Sequence, residues 1–173
     1  MNKKPFNLKN LTGGLCFAVL LALFAWHFII PHSLDRVMPG FDPEDVTDCI
    51  VYGWQNEVTP PLTVEYTDYV FSFEPGSEAY DELVRMLQAT KYRKQLGNLI
   101  DTHSHSITLN PHAEICFAAS DGTVYEFSLL GREMRMSSGR EQRSFSPRGG
   151  TAYQEAVIDF IFQSGTLLEM TTI

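Results

Sequence analysis

The chain has 173 residues, 44% of them hydrophobic and 20% charged, which suits one ordinary packed domain plus an attachment. All 21 acidic residues lie beyond Ile30, where only 10 of the 13 basic residues remain, giving a net charge of −11 over 31–173. A body this acidic repels phosphate backbones and anionic lipid, which excludes nucleic-acid binding as its main task.

Leu11 to Ile30, LTGGLCFAVLLALFAWHFII, has Thr12 and His27 as its only clearly polar members. Twenty residues at ~1.5 Å each reach ~30 Å, the thickness of a bilayer's hydrocarbon core. Lys3, Lys4 and Lys9 precede the run. It therefore predicts one transmembrane helix over 11–30, with residues 1–10 cytoplasmic and the C-terminal body outside the cell membrane. A cleaved signal peptide is the alternative, but its apolar region is usually ~7–15 residues and ends at a small-x-small pair. Cys16 then reads as lipid-facing. Pro31, Pro39, Pro43 and Gly40 mark 31–45 as a stalk, leaving 46–173 as an extracytoplasmic domain.

Thr47 to Trp54 alternates, with Ile50, Tyr52 and Trp54 on one face, and predicts a strand whose aromatic row faces the core. Pro60 and Pro61 break the chain, and Val64 to Phe73 predicts a second strand with a bulge near Thr67 and Asp68. A helix follows, capped by Ser77, with Tyr80, Leu83, Met86 and Leu87 on one face and Gly97 at its end. Four short strands are predicted next: His103–Leu109, Glu114–Ala119, Thr123–Leu130 and Glu133–Ser137. GREQRSFSPRGG either continues the sheet or loops away. Thr151 to Ser164 predicts a second helix opened by a Thr151/Gln154 capping box. TLLEMTTI is a last strand or a tail.

The fold class predicted is α+β. An antiparallel sheet of about five or six strands, in the order β-β-α-β-β-β-β-α, carries two helices on one face, preceded by one N-terminal transmembrane helix. The turn at Ser120–Thr123 places Gly122 in the left-handed position, pairing Phe117 with Tyr125 and Ile115 with Phe127. By the same burial logic, Leu109 opposes Ile115 and Ile107 opposes Phe117.

The histidines of DTHSHSITLNPH are the first place to look for chemistry. His103 and His105 share a strand face with Ile107 and Leu109, and His103 comes near Asp121. These three form a ligand pocket on this reading. His103 and His105 also have a zinc-ligand spacing, so a Zn or Cu site is an alternative to no cofactor at all. A third ligand is missing, since His112 lies ~20 Å from His105 along a strand. Ser104 and His105 point oppositely, so Asp101, Ser104 and His105 do not assemble a hydrolase triad. Arg132, Arg135, Arg140 and Arg143 form a basic patch suited to an anionic ligand or acidic partner, or simply a solvated ribbon. Trp54, Tyr66, Tyr69, Phe71 and Phe73 either line a ligand cavity or pack the core. Cys49 and Cys116 both fall on the outward face and read as two free thiols, with a disulfide as the alternative.

These readings combine into a membrane-anchored extracytoplasmic module that binds an envelope protein or anionic ligand without catalysis. The alternatives are a metal- or small-ligand-binding domain using His103 and His105 and, more weakly, a hydrolase.

Overall fold

The computed structural model describes residues 8–60, 63–95, 109–131, 133–139 and 141–172. Chain packing divides at Ile30 into two units, Met1–Ile30 and Pro31–Ile173.

In the first unit, α1 spans Leu8–Phe24 and gives way to a π-helical turn over Ala25–Ile29, where the Ile30 N–H donates to the Ala25 carbonyl at 3.1 Å. The helix holds 17 residues and takes in Lys9 and Asn10. Seventeen residues reach only ~26 Å, short of a ~30 Å hydrocarbon core. Among the described residues, no helix is long and apolar enough to cross a membrane. This corrects the transmembrane anchor over 11–30. The single-pass topology, the cytoplasmic N-terminus and the extracytoplasmic placement of the body lose their support with it.

Among the described residues, the second unit is built on an eight-stranded sheet, not five or six strands. The strands are β1 (Val46–Thr59), β2 (Thr63–Ser72), β3 (Tyr92–Lys94), β4 (His112–Ala119), β5 (Val124–Leu129), β6 (Met134–Ser138), β7 (Glu141–Pro147) and β8 (Thr166–Thr172). Their order is β3-β7-β6-β5-β4-β1-β2-β8, with every neighbouring pair antiparallel. Among the described residues three α-helices accompany it, α2 (Leu34–Val37), α3 (Glu78–Ala89) and α4 (Gly150–Ser164), with a short 3-10 turn over Pro43–Asp45. The additional strands are β3, β7 and β8. The first helix stops at Ala89 rather than Gly97 because Tyr92–Lys94 is drawn into pairing with Phe145–Pro147.

The β4–β5 hairpin has the expected register, with Phe117 opposite Tyr125, Ile115 opposite Phe127 and Gly122 at a φ of 84°. The other neighbour of β4 is β1, however, so Val51 and Cys49 oppose Ile115 and Phe117. Both edges of β4 are thereby occupied, by β1 and by β5. Residues 103–108 lie outside the described residues, and Leu109 is buried in the core. The bulge falls between Val70 and Phe71, in the pairing with β8, because β1 and β2 stay in unbroken register past Thr67 and Asp68.

The segment expected to be a stalk belongs to the domain. Leu34, Val37 and Met38 are buried in the core, and the Phe41 ring lies 5.0–5.5 Å from those of Phe117, Tyr125 and Phe127. His32 exchanges two backbone hydrogen bonds of 2.8 Å with Tyr92, covering the outer edge of β3.

α3 and α4 pack on one face, as the amphipathic pattern requires. Tyr80 of α3 meets Phe117 edge-on at 6.2 Å, and Phe162 of α4 meets Phe71 and Tyr69 at 5.0 Å. Gly53 allows this approach, since a Cβ there would stand 3.1 Å from the Phe162 ring. Ser77 caps α3 by accepting the Tyr80 N–H at 3.2 Å. The expected Thr151/Gln154 capping box does not form. Gly149, at a φ of 97°, is the N-cap of α4. Gln154 is fully buried and clamps Gly131, its Nε2 donating to the Gly131 carbonyl at 2.7 Å and its Oε1 accepting the Gly131 N–H at 3.1 Å. A buried amide satisfied on both sides fixes the β5–β6 loop against the helix.

Candidate functional site

Alternation along each strand sends one set of side chains to the helices and the other to an open face. Cys49, Val51, Ile115, Phe117, Phe127, Leu129, Met134 and Met136 belong to the covered set and are fully or almost fully buried. The aromatic row Ile50, Tyr52 and Trp54 therefore stands on the open face, opposite to the sequence expectation, with Tyr52 41% exposed.

Three cross-strand rows define that face. One runs Asp68–Trp54–His112. The next runs Val70–Tyr52–Glu114–Ser128–Arg135–Ser144. The third runs Ser72–Ile50–Cys116–Glu126–Ser137–Gln142. The first row, with Glu114, Ser128 and Arg135 of the second, lines a cavity of about 370 Å³ together with Gln55, Asn56, Tyr66 and Leu130.

Its floor is aromatic. The Trp54 indole stacks on the His112 imidazole at 5.1 Å and 19°, and on Tyr52 at 6.3 Å and 25°. Burial lowers the His112 pKa from its ordinary value, so the ring is neutral at pH 7. Asn110 holds the backbone of Asn56, a lining residue, its side-chain amide donating to the Asn56 carbonyl at 2.6 Å and accepting the Asn56 N–H at 2.9 Å.

The wall is charged. Ser128 Oγ donates to Glu114 Oε2 at 2.9 Å. Beside Ser128 stands Arg135, whose Nε is buried without a hydrogen-bond partner among the described residues. Buried guanidinium N–H groups are almost always satisfied, so this orphan donor marks a position for an acceptor.

Deeper along the face, Glu114, Cys116 and Glu126 bring one ligand atom each within 4.8 Å of one another. Ser137 Oγ donates to Glu126 Oε2. Burial, with the Glu114 and Glu126 carboxylates adding to it, raises the Cys116 thiol to about 12. A thiol held this firmly protonated is a poor nucleophile and a poor metal ligand at neutral pH.

The residues singled out in the sequence are not gathered in one place. His103, His105, Arg132 and Arg140 lie outside the described residues. Asp121 is exposed in the β4–β5 turn and accepts the Thr123 N–H at 2.7 Å, which lowers its carboxyl pKa. Arg135 and Arg143 stand on opposite faces, because Arg135 pairs with Ser144 and Met136 with Arg143. Arg143 is engaged by Glu141 at 2.7 Å. Cys49 is buried on the covered face while Cys116 is on the open one, so adjacent strands send the thiols apart and both are free. Of the aromatic set, Trp54 and Tyr66 line the cavity, whereas Tyr69, Phe71 and Phe73 pack against α4 or its core.

Sequence reasoning misses Glu114 and Ser128, and weighs His112 only as a third metal ligand too far from His105. Their signal was the polar half of two alternating strands, visible once the neighbours of β4 are known. No family model matches this chain, and neither a curated protein nor a solved structure matches it.

Proposed function

We propose that this domain is a non-catalytic binding module for a small ligand that carries an anionic group beside a flat or apolar one. The carrying observation is the Arg135 guanidinium, with its buried, unpartnered Nε at the edge of an open cavity floored by Trp54 and His112. A guanidinium in that state is suited to a carboxylate, which it binds through paired N–H donors. The aromatic floor supplies contact area at little conformational cost. Convergent polar groups over an apolar floor are the usual composition of a ligand pocket. His112 stacks face to face on Trp54, an arrangement that supports holding a ligand over transforming it.

The chain has two tryptophans, so Trp26→Phe leaves Trp54 as its single indole reporter. Titration of that full-length variant with benzoate should quench Trp54 saturably. Benzamide, its neutral counterpart, should not, and neither should benzoate after Arg135→Gln. Equal responses to benzoate and benzamide, or an unchanged benzoate response in Arg135→Gln, would remove Arg135 as the anion anchor.

A further inference from the structure

The cavity is charged at both ends, with opposite signs, and its hydrogen-bonding capacity is unspent at each. At one end, in β6, stands the Arg135 guanidinium with its orphan Nε. At the other, in β2, the Asp68 carboxylate borders the cavity beside Trp54 and Tyr66 and has no side-chain partner among the described residues. Between them, Glu114 uses Oε2 for Ser128 and turns its other oxygen to no described donor. A ligand with only an anionic group would satisfy Arg135 and leave two acidic acceptors idle. A ligand with a cation at its far end satisfies all three.

From β6 to β2 the sheet order runs β6-β5-β4-β1-β2, which is four inter-strand steps. At ~4.8 Å per step this is roughly 19 Å between backbones. The Arg135 and Asp68 side chains, which both line the cavity, reach over roughly half of it, leaving about 10 Å for the ligand, or about three residues of extended chain at ~3.3–3.6 Å each.

We infer that the ligand is a short peptide of about three residues with both ends free. Its terminal carboxylate meets Arg135 and its terminal ammonium meets Asp68. Its middle side chain lies over the Trp54–His112 pair, and a backbone N–H reaches the free oxygen of Glu114. This rests on the anion-binding reading of Arg135 and extends it to the opposite end of the cavity.

The test uses the full-length Trp26→Phe chain and three probes: the tripeptide Ala-Phe-Ala, its N-acetylated form and its C-amidated form. The free tripeptide should bind saturably, and blocking either end should weaken it at least tenfold. In Asp68→Asn the acetylation penalty should vanish while the amidation penalty stays. In Arg135→Gln the reverse should hold. Far-ultraviolet circular dichroism and thermal melting confirm that both variants fold like the parent. Absence of tripeptide binding, an acetylated probe that binds as well as the free one, or an acetylation penalty that survives Asp68→Asn overturns the inference. If benzoate still binds in an Arg135-dependent way in that event, the peptide assignment alone falls. If benzoate binding is absent too, the anion-binding reading falls with it.

Discussion

Phe127 and Ser128 are consecutive in β5 and live in different surroundings. Phe127 is 0% exposed, with the rings of Phe41 and Phe117 packed edge-on against it. Ser128 points the other way and spends its hydroxyl on Glu114 at the edge of the cavity. The contrast repeats along the sheet, with Ile115 against Glu114, Met136 against Arg135, and Val51 against Tyr52. One face stabilises the fold through apolar burial, at roughly 1.5–3 kcal/mol for each fully buried large side chain. The other holds half-buried polar groups that add little stability and retain unused bonding capacity. A sheet covered on one side only is a stable base on which the second side is free to carry a site.

Truncation is the strongest way to break this contrast. Phe127→Ala should cost about 3–5 kcal/mol, since the cavity it leaves is walled by rings that cannot collapse into it. Tyr52→Ala, at a position 41% exposed on the open face, should cost no more than about 1 kcal/mol, the value of one cross-strand pair. Urea denaturation of the full chain measures both. A Tyr52 loss as large as that of Phe127 would mean that the open face is a second core.

A gentler substitution sharpens the same contrast. Arg135→Met removes a buried N–H that has no partner among the described residues and keeps most of the side chain's volume. Leaving such a donor unsatisfied costs about 1–3 kcal/mol, so its removal should leave stability unchanged or raise it by about 1 kcal/mol. Benzoate binding should disappear at the same time. Stability gained with binding lost is the behaviour of a site group held in a strained state for its ligand. A drop in stability on Arg135→Met would instead assign the arginine a structural partner.

The hairpin from Ile115 to Phe127 was legible because Gly122 and strict alternation allow one register only. Ser77 was legible as a cap because N-capping is local. The faces of β1 were not. Ile50, Tyr52 and Trp54 alternate as cleanly as Cys49, Val51 and Gly53, and the larger apolar set suggested the core. The core took the smaller set because α4 needs Gly53 for the approach of Phe162, a fact held in residues 109 positions apart. Parity alone cannot choose between two apolar rows. The same inversion moves Cys49 from the expected outward face to the covered one and leaves Trp54 lining the cavity rather than packing the core. Gln154 shows a related limit. Thr-x-x-Gln has the spacing of a capping box, but Gly131, distant in sequence, offered the amide two buried partners and won it. The 20-residue apolar run misled in another way. Composition fixed its hydrophobicity but not its continuity, and the change to a π-helical turn at Ala25 shortens the α-helix.

The smallest expected effect is a slope in pH. His112 sits half-buried on the open face, stacked on Trp54, and burial holds its pKa below the ordinary 6.5. The unfolded chain takes up that proton near 6.5, before the folded chain does. Between 6.5 and the lowered folded value the unfolded state therefore binds more protons, and stability falls as pH falls through that window. Above it the contribution is complete. Carboxyls with lowered values, such as Asp121, act only at more acidic pH and do not overlap. Urea midpoints of the full chain should drop modestly from pH 7.5 to pH 5.5, and His112→Gln should flatten that drop. Trp54 fluorescence should follow the same titration in the native chain, because the two rings share one stack. A slope that persists in His112→Gln would move the titrating group off the open face. A slope that vanishes with it would show that this face, which contributes little to stability at neutral pH, is where the fold senses its first protons.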